Sequence, residues 1–220
     1  MSLTDVATRP APWELTGSGY IFVFRFNRDF VMGQGFVPDE LKGAYRGGLG
    51  TVMLVDYHTS PVGAYREMLF VPGLFEQCGQ TRYTITKIYV STIDSVINGQ
   101  ENWGIPKELA DFQVESLSEK VERFRMSLDG HVVADLVLES VSPRLPVNTR
   151  FLPVRPALIQ QHARRHLLTA PLARGRVGLA SIHSAYVDAQ YFPDFGHKRP
   201  LLAVRAADFK MTFPVPEVLD

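Results

Sequence analysis

The chain has 220 residues, of which 45% are hydrophobic and 21% charged, values typical of a single folded domain. Twenty-three basic residues balance twenty-three acidic ones, so the charge gives no reason to expect a nucleic acid or an anionic membrane as partner. One cysteine, Cys78, excludes an intramolecular disulfide and fits a reducing compartment. The N-terminus lacks the apolar core of a signal peptide, and no stretch reaches about 18 uninterrupted apolar residues. We therefore expect a cytoplasmic protein without a membrane span.

The first elements along the chain are a leader and an aromatic strand. Residues 1–16 are expected to form a poorly ordered leader before a single domain over residues 17–220. The aromatic and β-branched stretch at 20–26 predicts a strand, whose alternation places Arg25 on a face with apolar neighbours. Arg25 is either a strand-end cation that reaches water or a clamp for a substrate carboxylate.

Two further strands, 51–57 and 64–70, are predicted on either side of a turn. In the second strand Tyr65, Glu67 and Leu69 share one face. A carboxylate on an inward apolar face is costly unless it is protonated or paired. Glu67 is therefore either an exposed strand residue or an acid with a function.

The remaining pattern is dominated by strands. The sequence predicts strands at 81–90, 111–117, 120–128, 131–140, 177–189 and 201–213, a helix from Thr92 to about Asn98, a hairpin turn at Asp129-Gly130 and a turn at Arg174-Gly175. Residues 157–168 fit a helix or a strand, and we favour the strand. About ten strands without βαβ alternation indicate a mainly β fold, β-rich α+β, in which a curled antiparallel sheet closes into a barrel with an internal ligand cavity.

Two histidines raise the question of a metal site. His162 and His166 are spaced like ligands on one face of a helix. No glutamate lies between them, and Arg164 and Arg165 would repel a cation. We interpret the segment as a solvated basic face, and we predict neither a metal site nor a cofactor.

The stretch Gly99–Phe112 carries the strongest chemical signal. Pro106 fixes the backbone just before Lys107, and Trp103 and Ile105 supply large apolar side chains close by. Removing water from a lysine lowers its pKa by up to about 3–5 units and makes the amine a nucleophile. The alternative is a turn lysine with its ammonium group in solvent.

Two segments resemble a known family. Trp103-Gly104-Ile105-Pro106-Lys107-Glu108-Leu109 resembles the Gly-Phe-Pro-Lys-Lys-type segment of the acetoacetate decarboxylase family, in which the first lysine forms a Schiff base. Tyr57-His58-Thr59-Ser60-Pro61-Val62-Gly63-Ala64-Tyr65-Arg66-Glu67 is similar to the family's Ser-x-x-Gly-x-Tyr-x-Glu stretch, whose glutamate lies in the active site. The segments occur in the family's order, and the resemblance extends from about Tyr20 to Leu219.

The resemblance implies a lysine-imine lyase that decarboxylates a β-keto acid of the acetoacetate type. It implies a barrel-like fold, a small keto acid as partner, no cofactor and assembly into a homo-oligomer. The residues assigned on this basis are Lys107 and Glu67 as catalytic groups and Arg25, Tyr65, Trp103 and Ile105 as substrate-binding groups.

The sequence departs from the family pattern at three places. Glu108 replaces the second lysine, and its charge would favour the protonated form of Lys107 unless an extended backbone turns it to the opposite face. The family carries an arginine just before the first strand, whereas this chain has none between Pro10 and Phe24, and Val52 stands near the position of a further glutamate. Two alternatives therefore stay open: a Schiff-base aldolase or dehydratase acting on a different keto acid, and a non-catalytic barrel that binds a hydrophobic keto compound.

Overall fold

The computed structural model describes residues 6–151 and 156–219, which form mainly β-strands with three short α-helices. In chain order the elements are β1 (Trp13–Phe24), α1 (Arg28–Gln34), α2 (Asp39–Lys42), β2 (Tyr45–Gly47), β3 (Gly50–Thr59), β4 (Tyr65–Val71), β5 (Leu74–Gln77), β6 (Gln80–Tyr83), β7 (Lys87–Val90), α3 (Ile93–Trp103), β8 (Lys107–Leu109), β9 (Asp111–Ser116), β10 (Val121–Leu128), β11 (His131–Ser140), β12 (Leu145–Asn148), a 3₁₀ turn (Thr149–Phe151), β13 (Leu158–His162), β14 (Arg165–Thr169), β15 (Leu172–Val187), β16 (Leu202–Phe213) and β17 (Glu217–Leu219). The prediction of a mainly β protein is confirmed.

The strands form two sheets. The larger sheet has eleven strands in the order β8-β7-β4-β3-β1-β16-β15-β11-β10-β9, with β12 paired to β15 outside this order. The smaller sheet has six strands in the order β17-β14-β13-β6-β5-β2. Most neighbours are antiparallel; β7 pairs with β8, and β6 with β13, in parallel.

The prediction of a closed barrel is wrong. The larger sheet has two edges, β8 and β9, and in residues 6–151 and 156–219 these edge strands do not pair with each other. Ala110 alone separates them along the chain, so they follow one another end to end and cannot lie side by side as closure requires. The amide of Ala110 instead donates to the carbonyl of Val90, which ends the β8 pairing.

Strand β1 separates two hydrophobic cores. Its alternation directs Tyr20, Phe22 and Phe24 into the larger core, which continues through the aromatic side chains of α1 and the β15–β16 connection. Trp13 and Leu15 point to the opposite face and belong to the second core, beside α3. The candidate site lies on this second face.

Helix α3 delivers the chain to β8. Thr92 caps its start, as the sequence predicts, by accepting a hydrogen bond from the amide of Ser95 at 3.4 Å. Gly104 ends the helix in the left-handed conformation, with φ of 65°. A Cβ at Gly104 would lie 2.9 Å from the carbonyl oxygen of Gln161, so only glycine fits this position. Within the described parts of the chain, no helix combines the length and apolar character needed to span a membrane.

Several local predictions are confirmed. Asp129 and Gly130 both have positive φ and form the tight turn between β10 and β11. Residues 157–168 are extended, as β13 and β14, and turn at Ala163-Arg164. The expected strand at 81–90 is divided into β6 and β7.

Two other local predictions need correction. The turn expected at Arg174-Gly175 is wrong, because both residues lie inside β15. A Cβ at Gly175 would lie 2.9 Å from Cα of Phe209, so this glycine permits close approach of β16 rather than a change of direction. At the N-terminus β1 starts at Trp13, within the segment 1–16 expected as leader, whose first five residues lie outside the described part.

Candidate active site

Lys107 is the first residue of β8 and is buried, with 4% of its surface exposed. Its Nζ lies 3.0 Å from Oγ of Ser95 and 3.5 Å from the hydroxyl of Tyr65. The backbone is fixed on both sides, because the Lys107 amide donates to the carbonyl of Ile105 and the Lys107 carbonyl accepts from Gln100. The amine is therefore held at a defined point inside the protein.

Glu67 provides the acid beside this amine. It lies on β4, is 4% exposed, and its Oε2 is 3.3 Å from Nζ of Lys107. The hydroxyl of Tyr57 donates to its other oxygen at 3.3 Å. Tyr57 and Tyr65 face each other across the β3–β4 ladder with ring centroids 4.6 Å apart. One buried cluster therefore contains an amine, a carboxylate and two phenols.

Burial and the charge of Glu67 shift the pKa of Lys107 in opposite directions. Loss of water is the larger effect and lowers the pKa of the Lys107 amine, while the negative charge and hydrogen bonding of Glu67 raise it. Ser95 places the amine near the first turn of α3, where the positive end of the helix dipole also disfavours an ammonium ion. The net direction is downward, which favours the neutral amine that a nucleophile requires.

The two tyrosines stay protonated. Burial raises the pKa of both Tyr57 and Tyr65 well above 10, and the charge of Glu67 raises them further. Their hydroxyl groups are therefore available as hydrogen-bond donors across the neutral pH range.

Glu108 does not oppose this arrangement. The extended backbone turns its side chain to the face opposite Lys107, as expected from the sequence, and it accepts from Nζ of Lys87 at 2.6 Å. Lys87 is itself buried against the rings of Phe36 and Tyr89. The charge of Glu108 is thus paired with Lys87 on the other side of the sheet.

The cluster opens into a cavity of about 510 Å³ beside the larger sheet. Ligand sites of proteins have volumes of about 300–1,000 Å³. Lining residues come from α3 and from β1, β3, β4, β7, β8, β12, β13, β15 and β16, and most of them are apolar. The apolar lining residues include Trp13, Leu15, Ile21, Met53, Val55, Leu69, Val71, Ile85, Ile88, Trp103, Ile105, Val147, Leu158, Val177, Leu202, Val204, Phe209, Met211 and Phe213. The lysine therefore faces a mainly hydrophobic space.

The structure brings together most of the residues that the sequence indicated. Lys107, Glu67, Tyr65, Trp103 and Ile105 all line the cavity. Trp103 also packs edge-on against Trp13 at 5.0 Å and Phe213 at 4.8 Å between ring centroids.

Arg25 does not belong to this group, contrary to the sequence assignment. It follows the last residue of β1, is exposed to solvent, and is not among the residues that line the cavity. The alternation that places it on the same face as Ile21 holds only while the strand continues, and β1 ends at Phe24.

Sequence reasoning missed Tyr57, Ser95 and Arg174. Tyr57 could have been found from the turn at 58–63, since that hairpin register pairs Tyr57 with Tyr65. Ser95 precedes Gly99 by four residues, so the two present a face of small side chains on α3, and a Cβ at Gly99 would lie 2.6 Å from Cδ of Lys107. Nothing local marks Arg174, which reaches the cavity through strand pairing between distant segments.

The described residues do not form a recognisable metal-binding cluster. In the ranges 6–151 and 156–219, no three side chains of histidine, cysteine, aspartate or glutamate converge in a way that could hold one. His162 and His166 lie on two different strands, β13 and β14.

Comparison with solved structures identifies proteins that share this fold. An acetoacetate decarboxylase from Legionella pneumophila subsp. pneumophila str. Philadelphia 1 matches 99% of this chain and 93% of its own, with 13% identity and a TM-score of 0.67. The enduracididine biosynthesis enzyme MppR, complexed with pyruvate, matches 100% and 95%, with 15% identity and a TM-score of 0.65. An acetoacetate decarboxylase-like enzyme from Sphingomonas wittichii RW1 matches 100% and 98%, with 16% identity and a TM-score of 0.63. These structures share the fold of this chain.

A search of curated proteins finds no match. The family model described as acetoacetate decarboxylase (ADC) does match, over residues 4–160, a range that includes β1, β4, α3 and β8 and therefore both Glu67 and Lys107. This range covers well over half of the 220 residues. The chain belongs to the acetoacetate decarboxylase family.

Proposed function

We propose that the protein is a Schiff-base enzyme that decarboxylates a β-keto acid through an imine on Lys107. The observation that carries the proposal is the position of the Lys107 amine: it is buried, has a lowered pKa, faces the cavity, and has a carboxylate within 3.3 Å. Burial in a hydrophobic site lowers the pKa of a lysine and makes its neutral amine available to attack a carbonyl carbon.

The reaction follows from these groups. The neutral amine of Lys107 adds to the ketone carbon, and loss of water gives a protonated imine. The bond from the α-carbon to the carboxylate then breaks, CO2 leaves, and the electron pair moves toward the imine nitrogen to give an enamine. Protonation of the α-carbon and hydrolysis of the imine release the ketone and restore the amine.

Glu67 is the proton carrier in this scheme. Its carboxylate takes a proton from the Lys107 ammonium ion or from the carbinolamine and returns one to the enamine carbon or the leaving water. The hydrogen bond from Tyr57 holds the second carboxylate oxygen, so the oxygen near Lys107 is presented at a fixed distance. Positioned acid–base groups typically contribute about 10²–10⁴-fold to a rate.

One observation favours a second reaction of the same imine. Besides Lys107, the only cation among the described cavity-lining residues is Arg174, on β15, four strand intervals from Glu67 on β4. At about 4.8 Å per interval this is about 19 Å along the sheet. Arg174 therefore does not stand beside the imine as the cationic partner of a carboxylate that leaves as CO2, and an aldol-type or dehydration reaction, in which no carboxylate leaves, is the second candidate. MppR, which shares the fold, binds pyruvate and a condensation product of pyruvate with imidazole 4-carboxaldehyde.

A direct test measures CO2 release from a panel of β-keto acids by the wild type and by Lys107→Met. Methionine fills similar space but has no amine, so we expect release to fall to the uncatalysed rate. Lys120→Met, at an exposed position, is the matched control and should keep wild-type activity. Equal activity of Lys107→Met and the wild type would refute the proposed function. Imine formation on Lys107 without CO2 release from any β-keto acid would instead support the aldol-type reaction.

A further inference from the structure

The cavity floor has a row of small side chains that starts at Glu67. In the strand ladder Glu67 pairs with Val55, Val55 with Gly19, Gly19 with Ala206, and Ala206 with Val177. All five residues line the cavity. The row crosses β4, β3, β1, β16 and β15, a distance of about 19 Å along the sheet. We call the part from Val55 to Val177 the trough.

The backbone itself fixes the depth of the trough. A Cβ at Gly19 would lie 2.3 Å from the carbonyl oxygen of Leu54, so no side chain can stand at this point. The next position along the row, Ala206, carries a single methyl group. Two adjacent strands therefore leave open space in the middle of the row.

Larger side chains border the trough on both sides. Neighbours on the same face of a strand are about 7 Å apart. The first border is a row of paired residues that starts at Lys107 and continues through Ile88, Leu69, Met53, Ile21 and Val204. The second border contains Tyr57 and Phe209. The result is a channel about one hydrocarbon chain wide, which leads away from the reactive amine.

The chemistry of the walls matches a hydrocarbon. Among the described residues that line the cavity, the charged side chains are Lys107 and Glu67 at one end and Arg174 on β15. The cavity of about 510 Å³ is many times larger than the space that one water molecule needs. A four-carbon keto acid bound at Lys107 would leave the trough to water, against walls that offer it few hydrogen bonds.

We propose that the substrate of this site is an elongated carbonyl compound whose carbonyl carbon meets Lys107 and whose apolar chain lies in the trough. This inference rests on the proposed imine chemistry and names the substrate class for it. For decarboxylation, the substrate is a β-keto acid that bears a long alkyl or similarly apolar group on the ketone carbon.

The apolar chain of the substrate contributes binding energy along its length. Each methylene removed from water is worth about 0.8 kcal/mol, which corresponds to about a fourfold gain. The expected gain in kcat/KM from 3-oxobutanoate to 3-oxooctanoate, which adds four methylenes, is on the order of 100-fold.

The test compares 3-oxobutanoate, 3-oxohexanoate, 3-oxooctanoate and 3-oxodecanoate as substrates, and acetone with 2-nonanone as ketones trapped on Lys107 by borohydride. We expect both turnover and trapping to rise with chain length. Turnover or trapping that is equal or better with the short compounds would overturn the inference while leaving the proposed function intact. Absence of any adduct on Lys107 with every ketone would remove the proposed function, and the inference with it.

A variant tests whether the apolar chain of the substrate lies in the trough. Ala206→Phe places a ring over Gly19 and fills the trough, so the ratio of kcat/KM for 3-oxooctanoate to that for 3-oxobutanoate should fall at least 10-fold. Ala189→Phe, the same change at an exposed position outside the cavity, should leave the ratio as in the wild type. Circular dichroism shows whether the filled variant folds. If it does not, Ala206→Val, a smaller filling change, should lower the ratio in the same direction. An unchanged ratio in a folded Ala206 variant would contradict the placement of the chain in the trough.

Discussion

Lys107 and Glu67 form a buried pair whose protonation state decides the chemistry. Burial pushes the Lys107 amine toward its neutral form, while the negative charge of Glu67 at 3.3 Å favours the ammonium ion. For Lys107 the effect of burial is larger, so the pKa of its amine lies below the ordinary value of 10.5. The lowered pKa favours the neutral amine, which each round of imine formation requires.

Glu67→Gln separates imine formation from proton transfer. The amide keeps the shape but carries no proton-transfer group, so we expect kcat to fall by about 10²–10⁴-fold while Lys107 still forms an adduct that borohydride traps. Steady-state kinetics and mass spectrometry of the reduced protein measure the two effects. Unchanged kcat would show that Glu67 is not the proton carrier.

The same variant changes the pH dependence in a definite direction. The acid limb of kcat/KM reports the ionisation of the free enzyme's nucleophile, here the pKa of the Lys107 amine. Because the charge of Glu67 raises that pKa, its removal in Glu67→Gln should lower the pKa and move the acid limb to lower pH. A pH profile of kcat/KM for wild type and variant checks this, and a shift to higher pH would contradict the assignment.

At the scale of single residues, part of the candidate site could be predicted from the sequence. The environment of Lys107 and the shared face of Tyr65 and Glu67 follow from local pattern. Tyr65 and Glu67 lie on one strand, and Lys107 lies in the same short segment as its apolar neighbours. Arg25 illustrates the limit, since its orientation depends on where β1 ends. Arg174 shows another limit, because it joins the cavity through pairing between segments far apart in the chain.

Helix α3 acts as a template for the lysine. Ser95 and Gly99 lie one turn apart on the face that meets β8, where Ser95 contacts the amine and Gly99 leaves room for the methylene chain. A Cβ at Gly99 would lie 2.6 Å from Cδ and 2.8 Å from Cε of Lys107. The absence of a side chain at this position therefore sets the path of the lysine.

Gly99→Ala should damage activity more than stability. Alanine favours the helix by about 0.5–1 kcal/mol but displaces the flexible Lys107 chain, and misplacement of a reacting group by about 1 Å can cost about 100-fold in rate. We expect a folded protein with a loss of this order in kcat/KM. Gly33→Ala in α1 is the control, because its Cβ meets nothing within 4 Å and it should retain full activity. Full activity of Gly99→Ala would show that the helix does not position the lysine.

The elements themselves were largely predictable, and the exceptions have physical causes. Alternating apolar residues and the Asp129-Gly130 turn identify strands and a hairpin because these signals are local. Gly175 misleads because glycine serves close strand approach as well as turns, and only the packing of β16 against β15 distinguishes the two. The open sheet was missed because strand order across distant segments leaves no periodic pattern in the sequence.

At the scale of the whole molecule, the N-terminal segment is joined to the site. The amide of Arg9 donates to Asn98 of α3 at 2.6 Å, and the amide of Ala11 donates to Asn102 at 3.2 Å. Trp13 follows, 1% exposed and packed edge-on against Trp103 at the end of the same helix. The first described residues thus hold α3 against the second core, and through α3 they support Lys107.

Trp13→Ala tests this connection. Loss of a buried tryptophan side chain typically costs about 3–5 kcal/mol, so we expect the free energy of unfolding in urea to fall by that amount. Tyr186→Ala, at a side chain that is 53% exposed, is the control and should change it by less than about 0.5 kcal/mol. Equal stability of the two variants would mean that Trp13 does not anchor the segment.

The most direct test of the central claim is borohydride trapping followed by peptide mass spectrometry. The protein is incubated with 2-nonanone or acetone, reduced, digested, and each modified residue is located. We expect a reduced adduct on Lys107 and none on Lys87, whose amine is buried on the opposite face of the sheet against Glu108. Adducts spread over surface lysines, or none on Lys107 in a folded protein, would contradict the claim that this lysine is the nucleophile.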